Sequence, residues 1–134
     1  MDNKEKEIEQ NIHYLEKHKF QKTLPELIKR LKGRRVIIYG AGMLFNLIKE
    51  HYDLTGLNIV GITDKKFESS SDDKYEDYKI YKLNEITKSD ADCILVSTKF
   101  YLSIIENLYG KFKNSGIKIL PLVKKSFFTL LKEL

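Results

Sequence analysis

Apolar and polar positions along the chain follow two rhythms, one helical and one of short apolar runs. From residue 4 to 19 the apolar positions are Ile8, Ile12 and Leu15, with Tyr14 alongside and Phe20 after Lys19. That i, i+4, i+7 spacing predicts an amphipathic helix with a narrow stripe, able to pack on the domain or on a second copy. Thr23-Leu24-Pro25-Glu26 has the form of a capping box, with Thr23 as N-cap and Pro25 in the first turn. Leu24, Leu27, Ile28 and Leu31 then form the apolar face of a second helix, which Gly33 stops. A helical hairpin is therefore expected over residues 1–33.

The rhythm changes after Gly33. Val36 to Tyr39 is a short apolar run that ends at Gly40-Ala41-Gly42. Met43 to about Asp53 is again helical, with Leu44, Leu47, Ile48 and Tyr52 inward. Asn58 to Thr63 is a second run, ending at Asp64. Residues 65–77, with Ser69-Ser70-Ser71-Asp72-Asp73, read as a mobile loop. Tyr78 to Tyr81 is a short strand and Leu83 to Thr87 a short helix. Cys93 to Ser97 reads as a strand buried on both faces. Lys99 to about Phe112 is helical, with Leu102, Ile105 and Leu108 or Tyr109 inward. Ser115-Gly116 turns the chain into a last strand, Ile117 to Leu120, which Pro121 ends. Ser126 caps a final helix carrying Phe127, Phe128, Leu130, Leu131 and Leu134.

Alternating strands and helices predict an α/β, Rossmann-like, mostly parallel sheet with helices on both faces, over residues 34–134. With the preceding hairpin this makes a single globular unit, and no internal repeat is present.

The 134 residues hold 24 Lys and Arg against 19 Asp and Glu, a net charge of +5. The lysines are mixed with acids along the whole chain, as on an ordinary solvated surface, and nucleic acid is not the expected partner. Lys29-Arg30-Leu31-Lys32-Gly33-Arg34-Arg35 is the one dense basic cluster. It reads either as a helix C-terminus favoured by its dipole or as a neighbour of a phosphate site. No window of about 18 apolar residues exists, so no membrane span is expected. The charged start, Met1 to Glu7, has no apolar signal core, and the single Cys93 forms no internal disulfide. Together these features point to the cytoplasm.

Gly40-Ala41-Gly42 carries the candidate chemistry. A strand, a glycine turn and a helix start present free backbone N–H groups and the positive end of a helix dipole. Gly40 permits the turn, and Gly42 lets the backbone approach a pyrophosphate. Asp64 lies 24 residues after Gly40, near the spacing at which an acid meets a ribose hydroxyl. Phe45 occupies the third glycine position. No catalytic constellation accompanies this turn. Tyr75-x-x-x-Lys79 and Tyr78-x-x-x-Lys82 match a dehydrogenase dyad by letter only. His13, His18 and His51 read as surface residues, Cys93 as core, and Asp72, Asp73, Glu76 and Asp77 as a solvated loop. Lys99 and Tyr101 follow a strand at the binding edge, where they either touch a sugar or phosphate or serve as ordinary first-turn residues.

The segments Gly33 to Gly42, Ile59 to Asp64, Asp92 to Thr98 and Gly116 to Ile119 resemble one family. It is the Rossmann-like nucleotide-binding domain of bacterial polysaccharide-biosynthesis and sugar-modifying proteins, as in the N-terminal domain of PglD-type sugar acyltransferases. The resemblance covers roughly residues 33 to 121. It implies a UDP- or dTDP-sugar lying across the C-terminal edge of the sheet. Gly40, Ala41 and Gly42 would face the diphosphate, Asp64 with Lys65 would meet the ribose or base, and Ser97 and Thr98 would line the far wall. The catalytic half that such domains serve is not among these residues, which implies a non-catalytic nucleotide-sugar module whose catalytic partner is either a separate protein or lost. Two other readings stand beside it. One is an NAD(P)-binding oxidoreductase or a fragment of one. The other is a ligand-free interaction subunit that forms a homo-oligomer through its N-terminal helices or its Phe127/Phe128 helix.

Overall fold

The computed structural model describes residues 2–125. In chain order the regular elements are α1 (Asn3–Lys17), α2 (Phe20–Arg30), β1 (Arg35–Tyr39), α3 (Met43–His51) and β2 (Asn58–Thr63). A 3-10 turn (Lys65–Phe67) leads to β3 (Lys74–Tyr75) and β4 (Tyr78–Lys79). A 3-10 segment (Leu83–Lys88), β5 (Cys93–Val96), α4 (Leu102–Phe112) and β6 (Lys118–Pro121) complete the series.

The apolar runs become a four-stranded parallel sheet in the order β2-β1-β5-β6. Outside β2, Ile80 adds one parallel bridge to Ile62. Side chains alternate across the strands, and both faces are covered. Val36 and Ile38 point into a core shared with Leu15 of α1, Phe20 and Leu24 of α2, and Phe45 and Ile48 of α3. Ile37, Ile94 and Val96 point the other way, onto Ile86 and onto Leu108 and Phe112 of α4. This two-sided burial explains why β5 reads as continuous apolar sequence. The architecture is α/β with helices on both faces and an N-terminal helical pair, a Rossmann-like arrangement. The pair is part of the main core, since Leu15, Phe20, Leu24 and Leu31 are buried with the sheet.

β1 and β5 are neighbours, but their chains leave in opposite directions, β1 into α3 on one face and β5 into α4 on the other. The crevice beyond their C-terminal ends is the switch point at which open α/β sheets bind ligands.

The structure corrects several expectations. Thr23 does not cap a helix. α2 begins four residues earlier, at Phe20, after Lys19 in a left-handed conformation (φ 53°). Burial of Phe20, edge-on to Tyr52 at 4.9 Å, draws the helix start back to it. The Thr23 hydroxyl donates to the Phe20 carbonyl at 3.4 Å, and Pro25 lies inside the helix. Residues 65–77 are not an unstructured loop. Phe67 is buried, and a β3–β4 hairpin follows, with Lys74 opposite Lys79. α4 begins at Leu102 rather than Lys99, and it buries Leu108 while Tyr109 is 64 % exposed. His18, expected at the surface, is buried edge-on against Tyr14. The basic cluster ends at Arg35, the first residue of β1, and so lies at the opposite end of that strand from Gly40. The predicted helix after Ser126 lies outside the described residues.

Candidate functional site

The glycine turn is built from the two strands that flank it. Gly40 has φ +111°, a conformation that L side chains rarely adopt, and donates its N–H to the Thr63 carbonyl at 2.8 Å. A Cβ placed on Gly40 would lie 2.5 Å from Ser97 Oγ and 3.4 Å from Thr98 Cγ2. Backbone conformation and close approach of the chain after β5 therefore both demand glycine here.

Ala41 is held at both backbone polar groups by one short segment. Its N–H donates to Asp64 Oδ2 at 2.7 Å, and its carbonyl accepts from Lys66 Nζ at 2.8 Å. Asp64 Oδ1 accepts the Lys66 backbone N–H at 3.0 Å, so the same carboxylate caps the 3-10 turn. Lys66 Nζ also sits 5.3 Å from the Tyr75 ring centroid and 5.5 Å from that of Phe67. The side chain that returns to the turn is thus that of Lys66; both lysines are exposed residues, and it is the Lys66 ammonium that reaches the Ala41 carbonyl. Sequence reasoning singled out Lys65. Only the two-residue return of the 3-10 turn distinguishes the two lysines.

Gly42 is the N-cap of α3, at φ −96°, and no side chain caps the helix there. No hydrogen bond among the described residues reaches the N–H of Gly42 or Met43. Gly42 is exposed, and a Cβ on it would meet no atom of the described residues within 4 Å. Free N–H groups, the positive helix end and open space coincide at this point, as an anion requires. Phe45, one turn further, is fully buried beside Tyr78, with ring centroids 6.0 Å apart.

The opposite wall is formed by residues 97–99. Ser97 is 3 % exposed, its N–H donates to the Tyr39 carbonyl at 2.9 Å, and its hydroxyl lies 2.8 Å from the Gly40 carbonyl. That hydroxyl ties β5 to the turn rather than facing the crevice. Thr98 is half-buried beside Gly40. The Thr98 hydroxyl, and that of fully buried Thr63 across the turn, have no hydrogen-bond partner among the described residues. Lys99 stands over the Tyr14 ring at 5.6 Å, and its carbonyl accepts from the Tyr14 hydroxyl at 3.3 Å. Tyr101 is buried, and its hydroxyl accepts the Lys125 N–H at 3.0 Å, so it belongs to the core and not to the crevice. Tyr39, at the end of β1, has its phenol pKa raised by burial, then by Asp64 and Glu68.

The remaining candidates lie elsewhere. Tyr75 and Lys79 belong to the β3–β4 hairpin, where the Tyr75 hydroxyl donates to Asn46 Oδ1 at 2.9 Å. Cys93 is 1 % exposed at the start of β5, and burial pushes its thiol up to about 11. Among the described residues, no group of three His, Cys, Asp or Glu side chains is placed to hold a metal ion. No helix among them is long and apolar enough to cross a membrane.

No curated protein matches this chain. A family model described as C2185-like, N-terminal, matches residues 32–120, the segment that contains the whole sheet up to β6, the glycine turn and both walls of the crevice. The chain belongs to that C2185-like N-terminal family.

Proposed function

We propose that this chain is a non-catalytic module that binds a nucleotide, most favourably a nucleotide-sugar such as a UDP-sugar, in bacterial surface-polysaccharide or sugar metabolism. The observation that carries this reading is the exposed Gly42 turn at the β1/β5 switch point, with uncapped N–H groups on Gly42 and Met43. A diphosphate accepts from those N–H groups and benefits from the α3 dipole. Thr98 and Lys99 border the crevice on the β5 side, and Lys65 offers a cation on the β2 side. Asp64 acts first as the clasp on Ala41, and the lone pairs left on its oxygens are available to a ribose hydroxyl.

A thermal-shift series with UDP- and dTDP-sugars, free UDP, NAD(H), NADP(H) and acetyl-CoA tests the reading. A ligand at about 100 times its Kd stabilises the native state by about 2.7 kcal/mol, enough for a shift of several degrees. A shift with UDP-sugars supports the module. A shift with NAD(H) alone moves the reading to an oxidoreductase. No shift with any of them makes the turn a scaffold element and directs attention to protein partners.

A further inference from the structure

We propose that the α1–α2 corner and the loop after β5 form a docking surface for a membrane rich in acidic phospholipid headgroups. The surface is assembled from segments far apart in sequence. Lys17, Lys19 and Lys22 at the corner meet Lys124, after β6, around an open depression of about 330 Å³. All four are exposed, and none takes part in an ion pair among the described residues. Among the described residues Glu26 is the one acid lining the depression, and Glu16 borders the adjoining one beside Lys19 and Lys22. Lysines thus outnumber acids in the described lining.

Phe100, 74 % exposed, is the most exposed large apolar residue among those described, and it stands beside Lys125, which also lines the depression. It is not a stray side chain. Lys125, itself 3 % exposed, holds its ammonium 4.6 Å from the Phe100 ring centroid and 5.3 Å from that of Tyr101. The Tyr14–Lys99 hydrogen bond ties α1 to the segment that carries Phe100. An outward aromatic flanked by lysines is the pairing that interfacial binding uses. The ring enters the headgroup boundary, and each lysine near an anionic surface adds its own attraction.

The composition of the patch favours lipid over nucleic acid. Its cations are all lysines, point charges without the planar fork that grips a phosphate bidentately. Among the described residues it offers one exposed aromatic, where single-strand binding relies on several stacked in series. The surface lies on the same sheet edge as the glycine turn, since Lys99 and Phe100 follow β5 and Lys124 follows β6. A membrane-docked chain would hold its crevice next to the bilayer.

Co-sedimentation of the full chain with phosphatidylcholine vesicles, with and without phosphatidylglycerol, tests the proposal. Binding is expected only with phosphatidylglycerol, and it should fall steeply as salt rises. The double reversal Lys19→Glu, Lys22→Glu should lower the partition coefficient by at least about tenfold. Phe100→Ser should lower it several-fold while leaving the circular dichroism spectrum unchanged. Equal binding to neutral vesicles, no binding to either, or indifference to both variants overturns the proposal. Tighter binding to single-stranded or duplex oligonucleotides than to the acidic vesicles replaces it with a nucleic-acid surface.

Discussion

The carboxylate of Asp64 accepts the Ala41 backbone N–H at 2.7 Å, across the gap between the end of β2 and the turn after β1. The Lys66 ammonium returns from the next turn to the Ala41 carbonyl at 2.8 Å. Ala41 is 1 % exposed, so both its polar groups are satisfied inside the protein. The turn is therefore fixed by the chain's own groups, and its exposed face is left to Gly42.

Removal of the clasp tests this. Asp64→Ala deletes two hydrogen bonds to a charged acceptor and leaves the buried Ala41 N–H unsatisfied. The expected cost is about 2–4 kcal/mol, read as a lower denaturant midpoint with an unchanged m-value. Asp64→Asn, which keeps an acceptor oxygen, should cost less than half of that. Equal stability of Asp64→Ala and wild type would show that the turn is held by other groups.

The two glycines of the turn should separate folding from binding. Gly40→Ala meets both a φ of +111° and Ser97 Oγ at 2.5 Å, so it should cost several kcal/mol or prevent folding. Gly42→Ala meets an ordinary φ and open space, and should cost about 1 kcal/mol or less as a poorer N-cap. Its added methyl points to where the backbone would approach a phosphate, so nucleotide affinity should drop at least tenfold. Thermal melts of both variants, with and without UDP-sugar, provide the comparison.

Lys49 should act as the latch of the β3–β4 hairpin. Its ammonium pairs with Glu76 in the hairpin turn and lies 5.2 to 5.5 Å from the ring centroids of Phe45, Tyr75 and Tyr78. Lys49→Ala removes the ion pair, the ring contacts and the packing of the lysine stem together. Faster hydrogen exchange at the Ile80 amide, which donates to Asp73, is expected, with a global cost of about 1–2 kcal/mol. Unchanged exchange there would show that the remaining contacts of Tyr75, with Asn46, Lys66 and Phe67, hold the hairpin without Lys49.

Alkaline pH should weaken the fold through Cys93. Burial raises its thiol from the ordinary 9.0 to about 11, so the native state holds the proton more tightly than the unfolded chain. Stability from this group is complete below pH 9 and is lost as pH rises through 11, by up to about 2–3 kcal/mol. Tyr39 and Tyr52, both raised by burial, push in the same direction. Denaturant midpoints at neutral and alkaline pH should converge partly in Cys93→Ala. An identical pH slope in that variant would contradict the assignment.

The sheet was legible because its strands are apolar on both faces. Val36 to Tyr39, Asn58 to Thr63 and Cys93 to Val96 stand out against the charged sequence between them, and Gly40 and Asp64 mark two strand ends. The errors arose where tertiary packing overruled local signals. Thr23 and Pro25 spell a cap, but burial of Phe20 moves the helix start. The serines and acids of residues 69–77 spell a loop, but Phe67 and Tyr75 anchor a hairpin against Lys66 and Asn46. The place of Gly42 at the start of α3 was readable from its position between strand and helix. The inward clasps of Asp64, Lys66 and Ser97 were not, because a side chain's direction is set by the packed turn and not by its spacing.

Titration of the isotopically labelled protein with a UDP-sugar, followed by amide NMR, tests the central claim most directly. The account predicts saturable shifts that are largest at the Gly42 and Met43 amides, smaller ones at Thr98 and Lys99, and their loss in Gly42→Ala. Millimolar UDP-sugar that leaves Gly42 and Met43 unmoved, or saturable shifts confined to other parts of the chain, would contradict it.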